Sequence, residues 1–235
     1  MKTILQNIRE ELKKSSDEKV RAGDRRFFKE SVLSYGVPSK KTKEINKKYW
    51  TLVKELDKST QYQLFEEMLK SDYNEEAFIV ADWLPRLKDT FERSDLLIFK
   101  NWIDKYLDNW AKIDSFCNHT IYELLIIFPD QLSEVISWKE SKNRWMKRAS
   151  TVSLILLARK GIYLEEAFQL ATFLMQDGDD MVQKGYGWLL KEESRTHQKE
   201  VLDFVIKNKK IMPRTALRYA IELMPAELRK RAMEK

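Results

Sequence analysis

Asn109-Trp110-Ala111-Lys112-Ile113-Asp114 is the stretch around which the chain is organised. On a helix, Trp110 and Asp114 stand at i and i+4 and share a face, so an aromatic plane lies one turn from a carboxylate. Two later stretches follow a related plan: Arg144-Trp145-Met146-Lys147-Arg148-Ala149 and Gln183-Lys184-Gly185-Tyr186-Gly187-Trp188. Both read as helix starts carrying a cation, and the second adds a Trp. Two aromatics, an acid and one or two cations suit an anionic partner with a flat, apolar part, a description DNA fits.

The spacing of these stretches bears on the fold. Trp110, Trp145 and Met181 open successive predicted helices about 35 residues apart, Met212 follows about 31 residues later, and each unit adds a second helix. A period of this length in helix pairs is the signature of an all-α solenoid of HEAT type, whose units bury their apolar faces only by stacking. On that arrangement the concave face collects Trp110, Asp114, Arg148, Lys184 and Trp188, with Arg214 and Arg218 beyond them. A compact helical bundle without a groove is the competing architecture.

Composition agrees with helix. Gly (6) and Pro (5) are scarce and 34% of the 235 residues are charged. The length suits one large domain or two small ones, and a single domain over 1–235 is expected. No run of 18 apolar residues is present, so no membrane span is expected. Met1-Lys2-Thr3-Ile4-Leu5-Gln6-Asn7 lacks the apolar core of a signal peptide. One Cys, Cys117, excludes an intramolecular disulfide, and a cytoplasmic protein follows as the default. Cys117, His119 and His197 are too few for a conventional zinc site, and no cofactor is expected. The net charge of +6 is uneven: residues 1–138 carry 23 basic and 24 acidic side chains, residues 139–235 carry 20 and 13. A one-sided basic excess suits a nucleic-acid surface, although solvated lysines alone also produce one.

Along the chain, apolar spacing predicts helices over 3–14, 17–34, 40–57, 60–71, 74–91, 94–107, 110–127, 130–138, 142–160, 163–176, 179–194, 197–208, 213–224 and 225–234. Asp17 and Ser39 are expected caps, and Phe27, Phe28, Val32 and Leu33 the buried side of the second helix. Gly36 is expected to end a helix, Gly161 another, and Pro85 to kink or break a third. No stretch alternates with period two between hairpin turns, so no sheet is expected.

Spacing alone leaves Asp114 as readily a surface carboxylate, and Trp110 and Trp188 as ordinary core. Trp50, Trp83, Trp102, Trp138 and Trp145 are assigned to packing, and Cys117 to the core. Arg148 is either a cleft cation, a solvated charge or the structural partner of an acid; Lys184 and Arg218 divide between phosphate contact and plain surface. Gly185 and Gly187, each costing a helix about 1 kcal/mol relative to Ala, permit close approach either to DNA or to a neighbouring helix.

At these residues the sequence resembles the AlkD-like alkylpurine DNA glycosylases, a family of HEAT-like solenoids. The resemblance rests on Trp110–Asp114, Trp145–Ala149, Gln183–Trp188, Met212–Glu222 and the turn Tyr35-Gly36-Val37-Pro38, in the family's order with similar gaps over nearly the whole chain. It implies that Asp114 is the catalytic carboxylate, that Trp110 and Trp188 flank the sugar of the damaged nucleotide, and that Arg148 lies near the DNA backbone. It further implies excision of cationic N3- and N7-alkylated purines from double-stranded DNA, without a metal and without insertion of the base into a protein pocket, unlike the usual base flipping. Lys184, Arg214 and Arg218 are supporting phosphate contacts on this reading. Two positions depart from the resemblance: Asn109 stands where the family often has a second Trp, and Phe27 corresponds to a tyrosine near the end of the family's second helix and lacks its hydroxyl, both expected to alter DNA grip and substrate range more than chemistry.

The chemistry suits the residues. An alkylated purine is already a charged leaving group, and its departure places positive charge on the deoxyribose. One carboxylate near that sugar stabilises the charge and orients a water; Trp faces attract a cation. The expected function is therefore a monofunctional glycosylase acting as a monomer without an obligate protein partner. A DNA-binding relative without glycosylase activity and a HEAT-type protein adaptor are the alternatives.

Overall fold

The repeat read from the sequence becomes a rule of packing. The computed structural model describes residues 1–29 and 31–234. Helices begin at Ser39, Asn74, Trp110, Arg144, Asp180 and Arg214, an interval of about 35 residues. Contacts divide the chain into two compact units, Met1–Phe116 and Cys117–Lys235. Within the first, Lys2–Lys14 packs on Ser39–Val53, which packs on Asn74–Trp83, which packs on Trp110–Phe116. Within the second, Arg144–Val152 packs on Asp180–Glu193, and that helix on Arg214–Ala220. Each helix of these series rests on its counterpart one repeat away, the stacking rule of an α-solenoid. The all-α helix-pair class expected from the repeat is the class found. No strand occurs among the described residues, only an isolated bridge between Leu33 and Tyr73. Among them no helix is long and apolar enough to cross a membrane.

Side chains repeat the rule. Trp83 donates from Nε1 to Asn46 Oδ1 at 2.8 Å, Asn109 donates to Asn74 Oδ1 at 2.9 Å and Tyr106 to Glu66 at 2.9 Å. In the second unit Arg159 donates to Glu192 at 2.9 Å, and Lys191 pairs with Glu222 at 2.9 Å. The first core is aromatic: Phe65, Trp83, Phe99, Trp102 and Phe116 are buried, with ring contacts near 6 Å. The second is aliphatic around Val182, Leu190, Val201, Val205 and Leu217, with Tyr186 at its centre. Glu193 is fully buried there, and neither of its carboxyl oxygens has a hydrogen-bond partner among the described residues. Burial, assisted by the nearby charge of Glu166, pushes its pKa up to about 8.

Several expectations need correction. The second helix spans Glu18–Phe27, not 17–34, and Glu30 within the expected range lies outside the described residues. Asp17 does cap it, accepting from the Lys19 and Val20 amides. The apolar residues assigned to its buried side are not core: Phe27 is 68% exposed and Leu33 46%. A competing acceptor holds the chain at the far end of the expected range. The Glu75 carboxylate takes the amides of Tyr35, Gly36 and Val37 at 2.9–3.1 Å and the Ser34 hydroxyl at 3.1 Å. Those donors therefore find a side chain on Asn74–Trp83 rather than helical carbonyls, and these residues stay out of a helix. Gly36 ends no helix; it sits in this segment at φ 75°, where a Cβ would lie 2.7 Å from the Asp17 carbonyl and the Arg21 Cβ. Ser39 is the first helical residue rather than the cap, which is Pro38. The expected helix 74–91 changes at Pro85 into a 3₁₀ stretch, Leu84–Thr90. That over 142–160 breaks after Val152, with Gly161 closing its second piece at φ 74°. A π-turn, Cys117–Ile121, follows Trp110–Phe116.

Candidate functional site

Trp110 opens its helix because Asn109 caps it: Asn109 Oδ1 accepts the Ala111 and Lys112 amides, both at 3.1 Å. Asn109 is itself fully buried and bonded to Asn74. Asn109 is thus a helix cap tied to the preceding repeat. Lys112 completes the anchor. Its side chain is 1% exposed, and Nζ donates to the Asp72 carbonyl at 2.8 Å, to Asp72 Oδ1 at 2.5 Å and to Asp108 Oδ1 at 2.9 Å. Asp72 adopts a left-handed backbone, φ 64°, that presents carbonyl and carboxylate to one ammonium. Burial, with Asp108 beside it, raises the Asp72 pKa despite the opposing pull of Lys112. Nothing in hydrophobic patterning singles out this lysine.

With Lys112 and Ile113 directed inward, Trp110 and Asp114 are left half-buried. The Trp110 ring lies 5.6 Å from Phe27 and 5.5 Å from Phe28, which meet each other edge-on at 5.4 Å. Phe27 keeps most of its surface open to solvent while supporting Trp110. The end of the second helix and the start of Trp110–Phe116, about eighty residues apart in sequence, thereby form one aromatic cradle a helical turn from Asp114.

In the second unit, Asp180–Glu193 is capped by Asp179 and lies between two helices. Its glycines explain how. A Cβ on Gly185 would come within 2.7 Å of Thr151 Oγ1 and 3.5 Å of Arg148 Cγ. A Cβ on Gly187 would come within 2.8 Å of Tyr219 Cβ and 2.9 Å of the Ala216 carbonyl. Both glycines serve approach to neighbouring helices, one on each side. Arg148 is 5% exposed and donates from Nη1 to the Met181 carbonyl at 2.7 Å, crossing to the next repeat. Lys184 pairs with Asp180 at 3.2 Å. Trp188 is half-buried, and its Nε1 donates to Glu192 at 3.2 Å. Burial would raise the Glu192 carboxyl, but hydrogen bonds from Arg195, Arg159 and Trp188 outweigh it and hold the pKa low. Arg214 and Arg218 are exposed on the following helix.

Trp83, Trp102, Trp138 and Trp145 are buried and Cys117 is core, as expected. Phe27, Trp110 and Asp114 are thus brought into one neighbourhood of the first unit, and Arg148, Lys184 and Trp188 share neighbouring helices of the second. Among the described residues no three or more His, Cys, Asp or Glu side chains gather as a metal site.

The helix-pair repeat and these anchored aromatic and charged positions define a class of helical-repeat protein that comparison with known proteins can name. The chain belongs to the DNA alkylation repair enzyme family, whose model matches residues 8–224. Its fold is similar to a solved structure described as a predicted DNA alkylation repair enzyme from Enterococcus faecalis, with a TM-score of 0.81, 14% identity, and coverage of 90% of this chain and 98% of that one. No curated protein matches the chain.

Proposed function

We propose that the chain is a monofunctional, metal-independent DNA glycosylase that releases cationic N3- and N7-alkylated purines from duplex DNA. Family membership supports a role in alkylation repair, and the observation that carries the finer reading is the aromatic cradle. Phe27 and Phe28 hold a half-buried Trp110 one turn from Asp114. In the step proposed, the C1′–N9 bond breaks and its electron pair leaves with the base, which departs neutral. Water adds to C1′, and its proton passes to Asp114 or solvent, leaving an abasic site. Asp114 stabilises the cationic sugar and orients that water. Trp110 and Trp188 offer electron-rich faces to the charged nucleotide, each contact worth on the order of 1 kcal/mol. Arg148 sets register from a buried position, and Lys184, Arg214, Arg218 and Phe27 contribute sequence-independent DNA contacts.

The test is release of 7-methylguanine and 3-methyladenine from methylated duplex, comparing wild type, Asp114→Asn and a blank. Release that collapses in the variant while DNA binding persists supports the reading. Well-folded wild type that releases no faster than the blank sinks it. Duplex binding without release would then favour a relative that recognises distorted DNA. Absence of binding at low salt would favour a protein adaptor.

A further inference from the structure

The family match ends at residue 224, and one helix, Ala226–Met233, lies beyond it. We infer that this helix is a second grip on the phosphate backbone of duplex DNA, with Arg229 and Lys230 acting beside Arg218. The inference rests on the DNA-binding part of the proposed function. Three observations carry it.

The first is charge without compensation. Residues 214–231 hold Arg214, Arg218, Arg229, Lys230 and Arg231 against two acids, Glu222 and Glu227. Glu222 is already paired with Lys191 at 2.9 Å. None of the five cations has an ion-pair partner among the described residues, and all are exposed. Cations that tie neighbouring elements together are paired, by contrast: Arg9 with Glu76, Lys48 with Glu11, Lys58 with Asp95, Lys112 with Asp72 and Asp108, Lys147 with Asp177. Five exposed cations that share one stretch with a single uncommitted acid, Glu227, leave a local positive potential.

The second is shape. Arg218, Arg229 and Lys230 border one groove of about 450 Å³ between Arg214–Ala220 and Ala226–Met233. Ile221, Met233 and Glu222 line it as well, so the three cations share one shallow surface with an apolar strip and an acid already committed to Lys191. Arg214, one turn before Arg218, extends the row along its helix.

The third is how the groove is held. Arg214–Ala220 packs against Asp180–Glu193 with Gly187 in contact, so Arg218 stands on a rigidly seated helix. Ala232 of the last helix is fully buried. A fixed row of guanidinium and ammonium groups fits a polyanion of regular charge spacing, and duplex DNA is the polyanion this family's repair role supplies.

The experiment is duplex affinity as a function of salt, for wild type and Arg229→Gln/Lys230→Gln. Each phosphate contact removed lowers the slope of log K against log salt by about 0.9, so the double variant should lose close to two units of slope and bind more weakly at low salt. Lys13→Gln/Lys14→Gln, which removes two exposed cations outside the groove, controls for net charge. Equal slopes for wild type and the groove variant, equal losses for both double variants, or no duplex binding by wild type would each overturn the inference. Binding to phosphatidylserine vesicles that the groove variant loses, with its DNA slope unchanged, would assign the surface to lipid instead and also overturn it. Base release by wild type is followed in parallel. Its absence with intact DNA binding would sink the glycosylase reading, leaving the salt slope alone to judge the groove.

Discussion

Replacing Glu193 with Gln should make the second unit more tolerant of alkaline pH, and the size of the effect follows from the burial of the carboxyl. Glu193 has no exposed surface and no hydrogen-bond partner for either oxygen among the described residues. Burial raises its pKa from 4.5 to about 8. The folded-state pKa lies above the unfolded one, so the associated stability is fully present below pH 4.5 and is lost as pH rises through about 8. At about 1.4 kcal/mol per pKa unit, linkage gives a loss on the order of 3–4 kcal/mol between pH 5 and pH 8 from this group alone. Glu193→Gln has the same shape and no charge, so it should not show this loss. The assay is denaturant unfolding of both proteins at pH 5, 7 and 8. The wild-type midpoint should fall relative to the variant's across that range. Parallel pH profiles would refute the reasoning, because they would mean that the carboxylate finds compensation on ionising.

Other consequences are as definite. Gly187→Ala should destabilise by about 1–2 kcal/mol, since overpacking against the Ala216 carbonyl outweighs the gain in helix propensity; stabilisation in equilibrium unfolding would contradict the close approach. Lys112→Met removes three hydrogen bonds, but Asp72 and Asp108 are about half exposed and can be rehydrated. The expected loss is therefore about 1–3 kcal/mol, and a change in unfolding free energy below about 0.5 kcal/mol would deny Lys112 its anchoring role. Phe27→Tyr, at an exposed position, should leave stability within about 0.5 kcal/mol while changing duplex affinity; a change in stability without one in affinity would remove Phe27 from the DNA surface.

The repeat was legible in the sequence because stacking needs apolar residues at a fixed period, and period survives even when each motif is weak. Asp179 and Asn143 start their helices where the expected ones begin, because capping is local chemistry. The segment after Phe27 was not legible. Its apolar residues keep helical spacing, and the carboxylate that takes the amides at its far end belongs to Glu75, 38–40 residues away. The same holds at the candidate site. Trp110 and Asp114 are visible as an i, i+4 pair, but the rings of Phe27 and Phe28 reach Trp110 only because the second helix stops early. Lys112 is hidden for a related reason: a buried lysine and a solvated one look alike until the left-handed turn at Asp72 brings its acceptors. The two glycines signalled close approach, and only the neighbouring helices decided to what.

The cradle formed by Glu75 and its neighbour Glu76 has a consequence for the integrity of the chain. Residues before the non-helical segment are bound to those after it by more than the peptide link. Arg9 forms a fork onto Glu76, which also accepts the Tyr35 hydroxyl at 2.6 Å. Asp17 donates its amide to the Gly36 carbonyl at 2.9 Å, and Ile8 and Leu12 are fully buried. A protease that cuts at Lys29 should therefore produce a nicked protein whose first 29 residues co-migrate with the remainder in native chromatography and separate only in denaturant. Two polypeptides divided at that point and expressed together should reassemble, so the amino-terminal piece behaves as a docked subunit that happens to be covalently joined.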